Sequence, residues 1–168
     1  MARLRRLWNA AMNIWHLVST LAACLLIIPA THAAEPPADY CRRVGVDDMP
    51  RPIPAALVPA AQRLFGLQAP DDVVRRMTVF RCMGGKVLIC ATGANLACGK
   101  ANTDRHLVSA GQYCREHPDA PSIPMFVTGH DTIYAWRCRG TAALASEPVD
   151  ALDARGFMAR LWKPLDQQ

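Results

Sequence analysis

Thr78 to Asn102, TVFRCMGGKVLICATGANLACGKAN, decides the fold. Cysteines recur in it at positions 82, 90 and 98. Gly84-Gly85 divides two β-type runs, Met77–Cys82 and Lys86–Ala91, and Gly93-Ala94-Asn95 divides the second from a third short run. Such runs between glycine turns predict a three-stranded antiparallel meander with a cysteine on each strand. With a two-residue turn, Cys82 lies opposite Val87 and Val79 opposite Cys90. Cys82 and Cys90 then face opposite sides of the sheet and do not bond. A three-residue loop at 93–95 places Cys90 opposite Cys98, where a bridge is geometrically allowed.

The cysteine arithmetic extends this stretch to the whole chain of 168 residues. The N-terminal segment, residues 1–33, has Arg3, Arg5 and Arg6, an apolar run from Ile14 to Ile28, and small residues up to Ala33. That is the layout of a secretory signal peptide cleaved after Ala33, with an uncleaved membrane anchor as the alternative. Leu21-Ala22-Ala23-Cys24 also matches a short lipobox, which makes Cys24 a lipidation candidate. With Cys24 set aside, Cys41, Cys82, Cys90, Cys98, Cys114 and Cys138 remain. An even set in an exported chain predicts up to three disulfides. There is no Cys-x-x-Cys pair, so neither a zinc site nor thioredoxin-like redox chemistry is implied. No cofactor is implied either.

Removing the segment changes the charge reading. Its three arginines leave 16 lysines and arginines against 14 acids, a mature net charge of about +2 rather than +5. No basic stripe with interleaved aromatics points to nucleic acid.

Residues 34–54 carry Pro36, Pro37, Pro50, Pro52 and Pro54 and predict a proline-rich extended arm, stapled to the body through Cys41. Residues 55–168 then form a single domain. A helix is predicted over 55–65, starting nearer Val58 because of Pro59, with Gly66 after its end. Asp71 to Arg76 predicts one further turn whose charges complement the helix dipole. Thr103 or Asp104 is the predicted cap of a second main helix reaching His117, with Cys114 pointing inward. Strands are predicted at 132–139 and at 156–162, the latter in competition with an amphipathic helix. Phe80-Arg81-Cys82-Met83-Gly84 and Trp136-Arg137-Cys138-Arg139-Gly140 share an aromatic-Arg-Cys-x-Gly pattern, each with leucine four residues on. The pattern predicts two similar hairpins side by side in one sheet. The fold class is therefore α+β: a small antiparallel sheet with two main helices, stabilised by disulfides.

Two polar clusters carry the candidate chemistry. Thr128-Gly129-His130-Asp131-Thr132 offers a base and a carboxylate in His130 and Asp131. Adjacent strand residues point to opposite faces, which favours a turn-forming role for the pair. Gly99 to His106 is rich in donors, and Lys100, Asn102, Asp104 and His106 are its binding candidates. Tyr134 and Trp136 could add an aromatic binding face. No P-loop and no Gly-x-Ser-x-Gly elbow is present.

Phe80-Arg81-Cys82, Cys98-Gly99-Lys100-Ala101-Asn102, Thr128 to Tyr134 and Trp136-Arg137-Cys138 together resemble a set of small exported bacterial proteins of unassigned function. The resemblance implies export and a cysteine framework. More loosely, the hairpin Val79–Leu88 is similar to one in the periplasmic inhibitors of c-type lysozyme, which are small β-barrels. Their Ser-Gly-x-x-Tyr loop is approached by Ser109-Ala110-Gly111-Gln112-Tyr113, which falls in a predicted helix. The expected role is a periplasmic or secreted binding module without its own catalysis, whose partner is an envelope or extracellular protein or glycan. The alternatives are a small periplasmic hydrolase using His130 and Asp131, and a structural envelope protein or lipoprotein. Membrane attachment would come only through an uncleaved signal or a lipidated Cys24.

Overall fold

Asp47–Pro52 (β1), Thr78–Met83 (β2), Lys86–Ala91 (β3) and Lys163–Pro164 (β6) form an antiparallel sheet in the order β1-β2-β3-β6. The structure is a computed structural model and describes residues 34–93 and 97–165. The signal-peptide and lipobox readings, including Cys24, fall outside the described residues. Among the described residues no helix is long and apolar enough to cross a membrane.

The turn at the centre of the sheet has the expected length. Gly84 and Gly85 both have positive φ, 59° and 74°. That is the backbone a two-residue hairpin turn needs, and glycine adopts it without a Cβ penalty. The register follows: Cys82 pairs with Val87 and Val79 with Cys90. The third strand of the predicted meander is absent from the described residues of the 97–99 segment, and β6 takes that edge of β3 through Leu88↔Pro164 and Ile89↔Lys163.

Both faces of this sheet are covered, which explains the continuous apolar run in β3. On one face Phe80, Cys82, Val87 and Ile89 pack with Cys41, Ile53, Val58, Ala61 and Val74. Those partners come from three helices and their links: Pro37–Val44 (α1), Val58–Phe65 (α2) and Asp71–Met77 (α3). On the other face Leu88 and Cys90 join a second core with Cys114, Trp136, Cys138, Phe157 and Trp162.

The predicted extended arm is corrected here. Pro37 sits in the first turn of α1, where its missing N–H costs nothing. Pro50 and Pro52 lie in β1, an edge strand where proline is tolerated. Residues from Glu35 onward thus belong to one compact unit rather than to an arm and a domain.

Val108–Glu116 (α4), Met125–Thr128 (α5), Tyr134–Arg139 (β4) and Ala142–Pro148 (β5) complete the fold. β4 and β5 form the second hairpin that the repeated pattern predicts. It stands in a sheet of its own, not beside the first. Alternate residues of β4 are buried and exposed, the signature of a strand with one wet face. Residues 156–162 form neither the expected strand nor an amphipathic helix, but a short 3-10 turn at Ala159–Leu161 leading into β6.

Three disulfides hold the layers: Cys41–Cys82, Cys90–Cys98 and Cys114–Cys138. Two of them follow one plan. The first strand of each hairpin is bonded to an earlier helix, β2 to α1 and β4 to α4.

Candidate functional site

The two polar clusters, some 30 residues apart in the chain, are neighbours in the fold. Asn102 donates its backbone N–H to the Asp131 carbonyl at 2.7 Å, and Ile133 donates to the Asn102 carbonyl at 3.3 Å. Asn102 and Thr132 form an isolated parallel bridge. The Tyr134 hydroxyl donates to the Thr103 carbonyl at 3.2 Å, and the Arg105 guanidinium lies 4.5 Å from the Tyr134 ring centroid. A neighbouring bond from Ala101 N–H to the Gly156 carbonyl, 2.9 Å, ties the same loop to the C-terminal segment.

Most side chains proposed for binding are used to build this junction. Asn102 Oδ1 accepts from the Asp104 N–H at 2.9 Å, and Asp104 Oδ1 accepts from the His106 N–H at 2.7 Å. These turns take the place of the predicted helix cap. α4 starts only at Val108, and its flanking residue Leu107 makes no side-chain cap. His106 is exposed. Trp136 and Tyr134 do not form a binding face. Alternation along β4 turns both into the core, where Trp136 Nε1 donates to Thr132 Oγ1 at 3.2 Å.

His130 and Asp131 share no hydrogen bond or ion pair among the described residues. The Asp131 carboxylate folds back over Gly129, where its Oδ1 would lie 2.5 Å from a Cβ. His130 Nδ1 is buried without a partner. A cavity of about 420 Å³ lies away from both clusters, lined by Pro52, Asp72, Arg75, Arg76, Thr78 and Val79. Among the described residues no group of three or more His, Cys, Asp or Glu side chains could hold a metal ion.

Lys100 belongs to a charged chain that the sequence does not announce. Its Nζ lies 3.0 Å from Asp48, which Arg155 grips with two bonds of 3.0 and 2.8 Å. The hydrogen bond from Arg155, and then that from Lys100, outweigh partial burial and lower the Asp48 carboxyl from 3.8 to about 2. Next to it Arg81, with no exposed surface, pairs with Asp153. In this network the exposed Lys100 ammonium shares the Asp48 carboxylate with Arg155.

The feature that sequence reasoning missed is apolar and exposed. Phe126 on α5 is 81% exposed and Val108 on α4 is 85% exposed, with Met125 beside them at 49%. Ser109 Oγ donates to the Val127 carbonyl at 2.8 Å and locks the two short helices together at this point. Nothing in the pattern Met125-Phe126-Val127 separates it from a core run; only the tight turns on either side leave Phe126 outside. Ser109 to Tyr113, the segment that approaches the lysozyme-inhibitor loop, is helical in α4.

Compared with protein-family models, with curated proteins and with solved structures, the chain matches none.

Proposed function

We propose that this chain is an exported binding module of the cell envelope that docks a protein partner through Val108, Met125 and Phe126. The observation that carries the reading is the exposure of these three side chains on two helices held by the Ser109–Val127 bond. Exposing a phenylalanine and its aliphatic neighbours to water is unfavourable, and clustered exposure of this kind marks contact surfaces. Aromatic and methionine side chains are also the types enriched where proteins meet. Three disulfides support an oxidising compartment, in agreement with a signal-peptide reading of residues 1–33. The side chains of Asn102, Asp104 and Thr132 bond within the framework, which favours the apolar patch over the polar clusters as the contact surface.

The test is site-specific photocrosslinking in the exporting cell. A photoreactive residue is placed at 126, at 108, and at the remote exposed position 86. Discrete protein adducts at 126 and 108 but not at 86 are the expected result. They should disappear when unlabelled wild-type chain is present in excess and persist when the competitor carries Phe126→Asp. Adducts to lipid alone, or equal labelling at all three positions, would refute a protein-docking role.

A further inference from the structure

The two hairpins correspond position by position around their arginines. Arg81 lies opposite Leu88 in the first, and Arg137 lies opposite Leu144 in the second. The residue after each arginine is the cysteine bonded to an earlier helix, Cys82 to Cys41 and Cys138 to Cys114. Neighbours along a strand point to opposite faces, so in both hairpins the arginine–leucine pair stands on the face turned away from that helix.

What covers the two faces differs. In the first hairpin the C-terminal segment lies over the pair. Asp153 gives Arg81 a carboxylate, Phe157 and Trp162 give it two ring faces, and Leu88 is buried in the same cluster as both rings. Arg81 is left with no exposed surface. In the second hairpin Ala135, Arg137, Arg139 and Ala142 are all exposed on the corresponding face. Among the described residues neither Arg137 nor Arg139 takes part in an ion pair. Arg139 stands where the first hairpin has Met83, so this face carries two positive charges where the other carries one.

We infer that the Arg137–Leu144 face docks an extended segment of a partner protein that carries two carboxylates beside an aromatic ring. The chemistry of this occupant is that of the segment covering the matching pair within the same molecule. A carboxylate meets a guanidinium as a charge-assisted, bidentate pair, and an aromatic ring lies over its plane. Arg139 in place of a methionine asks for the second carboxylate. Arg137 and Arg139 have Cα atoms about 7 Å apart, which suits acidic residues two positions apart in an extended chain. This surface is separate from the Phe126 patch. α4, which carries Val108, is bonded to the opposite face of the hairpin through Cys114 and Cys138.

The experiment uses the mature, oxidised chain and a displayed library of short random peptides. Peptides are selected on the wild-type chain and counter-selected on the chain carrying both Arg137→Gln and Arg139→Gln. Sequences held by the first and rejected by the second should combine Asp or Glu with Phe, Tyr or Trp within a few positions. A synthetic copy of one such peptide should bind either single variant at least about tenfold more weakly, and lose as much when its own acids become amides. Both variants should keep the three disulfides and the wild-type melting temperature, because both side chains are exposed. Phe126→Asp should leave this binding unchanged. A selection that yields no sequence sensitive to the double variant would overturn the inference. So would selected sequences that are acidic but lack aromatic residues, or polyphosphate bound as tightly as the peptide, since either makes the face a general anion binder.

Discussion

The Arg81 guanidinium pairs with the Asp153 carboxylate across 72 residues of sequence and lies between two rings, 4.1 Å from the centroid of Phe157 and 4.6 Å from that of Trp162. Burial pushes the Arg81 guanidinium down, and Asp153 pulls it back up. The same carboxylate accepts the N–H groups of Arg155 and Phe157, at 2.8 and 3.2 Å. One acidic side chain therefore shapes the 153–157 turn and neutralises the only fully buried charge on β2.

Asp153→Ala leaves Arg81 buried and uncompensated. The expected loss is about 3–5 kcal/mol, the usual cost of removing one member of a buried pair. Urea unfolding of the variant checks this, and a loss below about 1 kcal/mol, the range of an exposed pair, would contradict it. Replacing both residues by apolar ones, Arg81→Met with Asp153→Leu, should recover most of the stability, since no charge is then stranded.

Asp48 gives the acid limb of stability a defined contribution. Its folded-state value, about 2, lies below the ordinary 3.8. A lowered carboxylate stabilises the fold above its unfolded value, and that stabilisation is lost as pH falls through the folded one. Wild-type stability should therefore fall more steeply than that of Asp48→Asn between about pH 4 and pH 2. Denaturation midpoints measured at intervals across that window decide the matter; parallel curves would remove Asp48 as a contributor.

Gly129 has φ 88° and ψ 153°, a backbone region that residues with a Cβ scarcely enter. Gly129→Ala should cost about 1–3 kcal/mol, with the Asp131 side chain displaced as well. Gly99 has open space where a Cβ would be built and an ordinary backbone, so Gly99→Ala is the control expected to change little. Equal melting temperatures for the two variants would refute the distinction.

Cys82→Ala opens the bridge from β2 to α1 and should cost roughly 2–5 kcal/mol. His130→Ala removes a ring whose Nδ1 has no partner and should cost far less. Thermal unfolding of the two variants side by side is sufficient, and similar melting temperatures would contradict the ranking.

Local chemistry was readable in the chain. The Gly84-Gly85 turn, the register of Cys82 with Val87, the helix over 58–65 and the second hairpin all follow from backbone freedom and residue spacing, which act over a few positions. The cysteine count also carried the oxidised framework, because pairing needs an even set. Its connectivity is a different matter: Cys41 reaches Cys82 only because α1 packs on β2. The prolines of 34–54 suggested an extended arm, and packing overruled them by placing each where a missing N–H is harmless.

The site was legible only in pieces. The sequence marked Lys100, Asn102, His130 and Asp131 as polar and conformationally unusual, and it could not join them. The bonds from Asn102 to Asp131 and from Ile133 to Asn102 bridge some 30 residues of chain, and no local pattern encodes such a pairing. The exposure of Phe126 is likewise a property of the surface left over once every other segment is packed. Turn type, strand period and cysteine number are set by neighbours in the chain. The burial of Arg81 and the grip of Arg155 on Asp48 are set by which distant segments share space, and that depends on the sum of many weak contacts across the whole fold.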